Sequence, residues 1–277
     1  MGLRIATNVQ SLSAQRFLGV NNERQNRSLE KLSSGSRINR SGDDAAGLAI
    51  SEKLKANIRS LKQASRNAND GISLVQTAEG AMNEVSNILI RMRELSIQTA
   101  SDTIGNIERS FVDKEVQALK SEIDRIAVST EYNGMKLLNG QAETLDFQIG
   151  IKNNPLEDRI QFDAKGLDST LEAFQLGDVR NDTREASQQN LGAIDAAIQK
   201  LNDNRSNLGA MQNRLQSTIN NLGIYTENLS VANSRIRDTD MAEESSELVK
   251  NNILTSSTIS VLSQANQNPQ AALKLLG

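Results

Sequence analysis

The chain has 277 residues, with no Cys, no His, no Trp and only two Pro. That length allows one or two domains, and the missing His and Cys remove the usual nucleophile–base pairs, soft-metal sites and disulfides. Net charge is −3, but it is unevenly placed: residues 1–42 carry seven Arg or Lys against two Glu, whereas 238–277 carry Asp238, Asp240, Glu243, Glu244 and Glu247 against Lys250 and Lys274. A basic tail often meets nucleic acid. Here neither end has a dense Lys/Arg block, and both carry apolar residues at helical spacing. The two ends are therefore expected to attract each other, with no nucleic-acid partner. The opening "MGLRIATNVQSLSAQ" lacks the apolar run of a signal peptide and misses the myristoylation pattern at Ala6. No stretch reaches the apolar length of a membrane span, so no membrane insertion is expected.

Ile5, Val9 and Leu12 make a short helical stripe at the N-terminus, after which the apolar residues thin out. Beyond residue 44 a longer stripe runs Leu54, Ile58, Leu61, Ser65, Ala68, Ile72, Val75, re-phases through Ala78 near Gly80, and continues Met82, Val85, Leu89, Met92. The re-phasing predicts a local change of winding. "SDTIGN" reads as a turn between antiparallel helices, leading to a third stripe at Val112, Val116, Leu119, Ile123 and Ile126. Each stripe is narrow, so each helix needs partners.

The middle of the chain changes character. "YNGMKLLNG" holds two Asn-Gly pairs, Asn133-Gly134 and Asn139-Gly140. Both residues of such a pair tolerate the positive φ of a tight turn. "LDFQIG" and "DRIQFD" alternate like strands around the turn "IKNNP", so residues 146–190 read as a small β-containing excursion. From Leu191, steps of three and four residues give Leu191, Ile194, Ile198, Leu201, Arg205, Leu208, Gln212, Leu215, Ile219, Leu222, Thr226, Leu229, Asn233 and Ile236. Ten of these fourteen positions are Leu or Ile, an unslipped heptad stripe that predicts a coiled-coil-like helix. Such a helix would be roughly 70 Å long. Finally Met241, Leu248, Ile253, Ile259, Leu262 and Leu273 imply an amphipathic helix broken near Pro269. Neither end segment is apolar enough to fold alone; helices of this kind are stabilised mainly by packing.

The segment "SSGSRINRSGDDAAGLAIS" at 33–51 separates the first stripe from the second. Ser33, Ser34, Gly35 and Gly42 predict a pliable hinge. Asp43 or Asp44 predicts a helix cap, because a carboxylate accepts the free backbone N–H groups there and suits the positive end of the dipole. The Asp pair lacks the surrounding oxygen ligands of an EF-hand, and would repel a phosphate from the helix start, so no metal or cofactor site is expected. The fold class is thus mainly α: a long antiparallel helical bundle and coiled coil with a small β-hairpin region.

"LSSGSRINRSGDDAAGLAIS" closely resembles the N-terminal signature of bacterial flagellins, which reads LSSG-x-RIN-x-x-x-DDAAGLAI. "ANDGISLVQTAEGAMNEVSNILIRMRELSIQTA" and "EYNGMKLLNG" resemble the blocks that follow. "SRIRDTDMAEESSELVKNNILTSSTISVLSQANQNPQAALKLLG" resembles the C-terminal block. The resemblance covers about 1–145 and 190–277. Ser36, where Leu is common, and "RSG" at 40–42 depart from the pattern.

The resemblance implies a structural subunit of the extracellular flagellar filament. It divides the chain into the N-terminal half of a D0 coiled coil (1–32), a spoke or hinge (33–44), a D1 bundle with the β excursion (45–237) and the C-terminal half of D0 (238–277). It implies D0 pairing and assembly through Ile5, Val9, Leu12, Leu248, Ile253, Ile259 and Leu262. It also implies export, unfolded, by the flagellar type III apparatus, with an export chaperone on Leu248, Ile253, Ile259 and Leu262. The implied partners are further copies of the chain, sister flagellins, and the filament cap and hook-junction proteins. In some flagellins an innate immune receptor of the Toll-like class reads the D1 surface, and Arg91, Leu95 and Glu115 match those positions. Only about 45 residues stand where larger flagellins insert outer domains, so little outer decoration is expected.

Two other classes compete with a filament subunit. A hook–filament junction protein shares the end architecture, but the long matches at both ends favour the filament subunit. A cytoplasmic coiled-coil scaffold explains the heptads but not the ordered motifs. An enzyme is disfavoured, since the metallopeptidase inserted in some flagellins needs HExxH and this chain has no His.

Overall fold

The structure is a computed structural model that describes residues 7–141 and 144–274, with the backbone alone followed over 268–274. Five helices and four short strands succeed one another: α1 (Val9–Ser34), α2 (Ala45–Thr99), α3 (Asn106–Ser129), β1 (Glu131–Tyr132), β2 (Met135–Lys136), β3 (Thr144–Gln148), β4 (Arg159–Asp163), α4 (Arg184–Arg237) and α5 (Met241–Lys274). They fall into two compact units, one of residues up to Ala56 with those from Asn228 on, the other Asn57–Glu227. The divisions lie inside α2 and α4, so each long helix contributes to both units.

In the Asn57–Glu227 unit the predicted stripes become the core. Ala68, Val75, Ala78, Met82, Val85, Leu89 and Met92 of α2, Val116 and Ile123 of α3, and Ile194, Leu201, Leu208 and Leu215 of α4 are buried together. Each fully buried Leu, Ile, Val or Met contributes about 1.5–3 kcal/mol. The helix stays unbroken across the re-phasing at Ala78. Arg109, itself buried, closes the end of α2 by donating to the carbonyls of Thr99 at 2.9 Å and Ser101 at 2.8 Å. It thereby satisfies acceptors that a helix C-terminus leaves open. α4 begins at Arg184, seven residues before the heptad stripe, with the Ser187 N–H bonded to the Thr183 carbonyl at 3.0 Å.

The strands form two separate hairpins, one ahead of the expected excursion at 146–190 and one at its start. β1 and β2 pair Tyr132 with Met135 across Asn133 and Gly134, at φ 50° and 79°. Those angles suit the tight two-residue turn that Asn-Gly favours. Asn139-Gly140 makes no hairpin; the Asn139 Oδ1 accepts from the Gln141 N–H instead. β3 and β4 pair antiparallel from Thr144–Asp163 to Gln148–Arg159. Their Phe147 and Phe162 rings lie 6.0 Å apart. Gly71 of α2 gives this hairpin its seat: a Cβ there would stand 3.3 Å from both Phe147 Cδ1 and Leu215 Cδ1.

In the other unit α1 and α5 pair antiparallel, Asn8 lying near Ala265 and Lys31 near Glu244. α5 passes Pro269 without the expected break. A proline has no N–H for the carbonyl four residues back. That carbonyl, of Ala265, accepts instead from the Asn8 side chain at 2.7 Å. Asn8 also caps α1 through Oδ1, which accepts from the Ser11 N–H at 3.0 Å.

Candidate assembly surface

α1 ends two residues later than expected, at Ser34, where Gly35 takes a left-handed φ of 69° and donates its N–H to the Lys31 carbonyl at 2.8 Å. Glycine suits this helix stop because it has no Cβ to clash. The next residues are held by backbone and side-chain bonds. Ser36 bridges to Asp238, the Arg37 N–H donates to the Arg237 carbonyl at 2.6 Å, and the Thr239 N–H donates to the Gly35 carbonyl at 3.0 Å. Arg40 reaches back to Glu30 with two bonds of 3.0 and 2.8 Å, and Ile38 is buried. Gly42 has open space around it and no positive φ, so nothing in the turn requires a glycine there.

The two adjacent carboxylates divide their work. Asp44 is the cap of α2, its Oδ1 accepting the Gly47 N–H at 2.8 Å. Gly47 is small because any Cβ would strike Asp44 and Ile38. Asp43 closes the turn before it, accepting from the Asn39 and Arg40 N–H groups at 3.1 and 3.0 Å. Those backbone donors hold the Asp43 carboxyl below its ordinary pKa.

The helix pairing runs through a heptad seam that the apolar stripes do not mark. On α5 the covered side chains are Glu244, Leu248, Asn251, Thr255, Thr258, Leu262 and Ala265; on α1 they include Ser11, Ala14, Leu18, Asn21, Gln25, Ser28 and Leu32. Most are polar or small. Asn21 donates to Thr258 Oγ1 at 3.1 Å, Ser11 to Asn266 Oδ1 at 2.9 Å, and Gln25 to Asn252 Oδ1 at 2.6 Å. Lys31 meets Glu244 at 3.2 Å, so the opposite charges of the ends make contact there.

Of the residues expected to pair the ends, Leu248 and Leu262 lie in the seam. Val9, Leu12, Ile253 and Ile259 do not: they point outward, Val9 at 62% and Ile253 at 61% exposure. Polar seam bonds occupy the inside of the pair, which leaves these side chains for the outside. Ile5 lies outside the described residues. Sequence reasoning missed Asn8, Ser11, Ala14, Asn21, Gln25 and Ser28 because it sought Leu and Ile. Small and polar residues at that spacing suit a solvated face equally well, so nothing in the sequence singled them out. Phe17, Val20, Met241, Val249, Leu254 and Val261 are exposed as well. Phe17, Leu254 and Val261 line an open groove of about 790 Å³ between α1 and α5.

In the other unit Arg91 and Glu115 are exposed and joined at 2.9 Å, with Glu94 also on Arg91. Both acids raise the Arg91 pKa, Glu115 more than Glu94. Leu95 is a correction: it is 2% exposed, part of the core packed by α3 and α4, and offers no surface to a receptor.

The terminal helices bring polar groups together and leave large apolar side chains exposed, as suits a subunit that packs against further chains. The bacterial flagellin N-terminal helical region matches residues 5–143 and the C-terminal helical region matches 191–276. The flagellin of Halalkalibacterium halodurans is 46% identical over 271 residues, 97% of this chain and 98% of that one. The flagellin of Bacillus subtilis is 42% identical over 304 residues, 99% of this chain and 100% of that one. The crystal structure of Bacillus cereus flagellin superposes with a TM-score of 0.50 at 32% identity, covering 57% of this chain and 88% of that one. A putative flagellar hook-associated protein from Vibrio parahaemolyticus shares the fold, with a TM-score of 0.58 at 12% identity. The chain belongs to the bacterial flagellin family, the structural subunits of the extracellular flagellar filament.

Proposed function

We propose that this chain is exported unfolded by the flagellar type III apparatus and polymerises outside the cell through the outward faces of α1 and α5. The observation that carries the reading is the inversion of their pairing. Asn21, Ser28 and Asn251 are buried, while Val9, Leu12, Phe17, Val249, Ile253, Ile259 and Val261 are exposed. Large apolar side chains left exposed along both helices are candidates for an interaction surface. Further copies of the same chain are the occupant, because the contact must repeat to build a filament. Sister flagellins, the cap and the hook-junction proteins would meet the same faces. The role is structural and not enzymatic.

Before export a chaperone would cover α5. With α1 and α5 paired, Leu248 and Leu262 are half-buried and only Ile253 and Ile259 among the expected chaperone contacts are exposed. A chaperone that uses all four must therefore hold α5 apart from α1. Arg91 and Glu115 are exposed in the single chain and would be available to an immune receptor there.

The test substitutes outward residues that touch no seam. Ile253→Ser with Ile259→Ser should abolish polymerisation of purified chain, followed by light scattering and electron microscopy, and leave the circular dichroism of the monomer unchanged. Filaments of normal length and yield from that variant would overturn the reading.

A further inference from the structure

We infer that Asn133 is a site of spontaneous covalent modification: it deamidates in the folded protein, while Asn139, with the same neighbour, is protected. Sequence chemistry alone does not separate the two, since each is followed by glycine. In both, the glycine backbone nitrogen must lose its proton and attack the Asn Cγ. The new C–N bond closes a five-membered succinimide and the side-chain nitrogen leaves as ammonia. Water then opens the ring at either carbonyl, giving Asp or isoaspartate. No oxidant or enzyme is needed, and water is the only co-reactant. Glycine favours the attack because it has no side chain to shield its nitrogen.

The structure treats the two sites differently. Asn133 is exposed at the tip of the β1–β2 hairpin, and a Cβ built on Gly134 would meet nothing within 4 Å. The attacking nitrogen is thus open to the water and base that must remove its proton. Asn139 is half-buried, and its Oδ1 is held by the Gln141 N–H at 3.1 Å. Gly140 is crowded by Asp168, whose Oδ2 would lie 2.4 Å from an added Cβ. A carboxylate beside Gly140 opposes the negative charge its nitrogen must carry to react. The segment is pinned further by the Ser169 N–H on the Leu138 carbonyl at 2.9 Å.

An isoaspartate at 133 lengthens the backbone inside a two-residue turn and adds a charge near Glu131. β1 and β2 lead directly into Leu137 and Leu138, both fully buried, so the lesion would loosen the hairpin that carries them. An extracellular protein cannot be resynthesised in place, and the modified fraction would grow with age.

The experiment incubates full-length protein near 37 °C at neutral and mildly alkaline pH. Peptide mass spectrometry and isoaspartate labelling then follow both sites. In the folded chain product at 133 should form several-fold faster than at 139, and faster as pH rises. In denaturant the two rates should converge. Asn133→Gln should remove the dominant product without changing circular dichroism, and Asp168→Asn should speed reaction at 139. Equal rates in the folded chain, a faster rate at 139, or a folded chain inert at both sites while the denatured chain reacts would each overturn the assignment.

Discussion

At the scale of single residues, Asn8 and the Asp43–Asp44 pair show how side chains replace missing backbone partners. Asn8 holds two jobs at once, capping α1 and supplying the donor that Pro269 denies to Ala265. Asn8→Asp keeps the cap and loses the donor; Asn8→Ala loses both. Each lost bond costs about 1 kcal/mol. Hydrogen exchange along α5 should therefore quicken near Ala265 in both variants, and along the first turn of α1 only in the alanine variant. Asp44→Ala should weaken the start of α2 by about 1 kcal/mol, with local exchange at Gly47 as the readout. Asp43 adds a pH dependence. Its folded pKa is depressed by the Asn39 and Arg40 donors. Its contribution is therefore complete above the unfolded pKa and lost as pH falls through the lower folded one. Exchange at Asn39 and Arg40, corrected for intrinsic rates, should accelerate in that acid window, and Asp43→Asn should flatten the response.

At the scale of elements, legibility in the sequence followed side-chain size. Stripes of Leu, Ile, Val and Met predicted α2, α3 and α4 because those side chains report burial directly. Asn133-Gly134 marked a hairpin because its two positive φ angles have few other solutions. The α1–α5 seam was hidden because Ser, Asn, Gln and Thr at three–four spacing look the same on a solvated face as in a hydrogen-bonded one. Leu95 failed as a surface residue for the opposite reason, a motif match saying nothing about which way an apolar side chain turns. The Asp43–Asp44 ambiguity was resolved only by geometry.

Lys120 belongs to this scale too. Its ammonium group is buried and donates to the Gly177 and Val179 carbonyls at 2.6 and 3.1 Å, tying the segment after β4 to α3. Burial lowers its pKa. Lys120→Met removes the donor from two carbonyls and should cost about 1–3 kcal/mol, measured by denaturant unfolding. In the parent, stability attributable to this group should rise with pH between the lowered folded pKa and the ordinary one, because the unfolded chain holds the proton longer. The methionine variant should lack that rise.

At the scale of the whole molecule, the two units differ in what stabilises them. The Asn57–Glu227 unit has its own core of α2, α3 and α4. The terminal unit buries polar seam residues and leaves many of its larger apolar side chains exposed. Removing residues 245–277 takes away nearly all of α5. It should abolish both chaperone binding and filament growth while leaving the circular dichroism of the α2–α3–α4 bundle intact. Normal filaments, or undiminished chaperone affinity, would show that α5 is not the shared surface.

The proposed packing of the outward side chains of α1 and α5 against other copies would make the thermal stability of the chain ends a function of how much protein is present. A helix pair whose best contacts come from other copies obeys mass action, as ligand binding does. Calorimetry should resolve two transitions. The melting temperature of the end helices should climb with total protein and with the fraction polymerised. That of the α2–α3–α4 bundle should stay fixed on dilution. In a filament the chain ends would then melt first where neighbours are fewest, at a free end of the polymer.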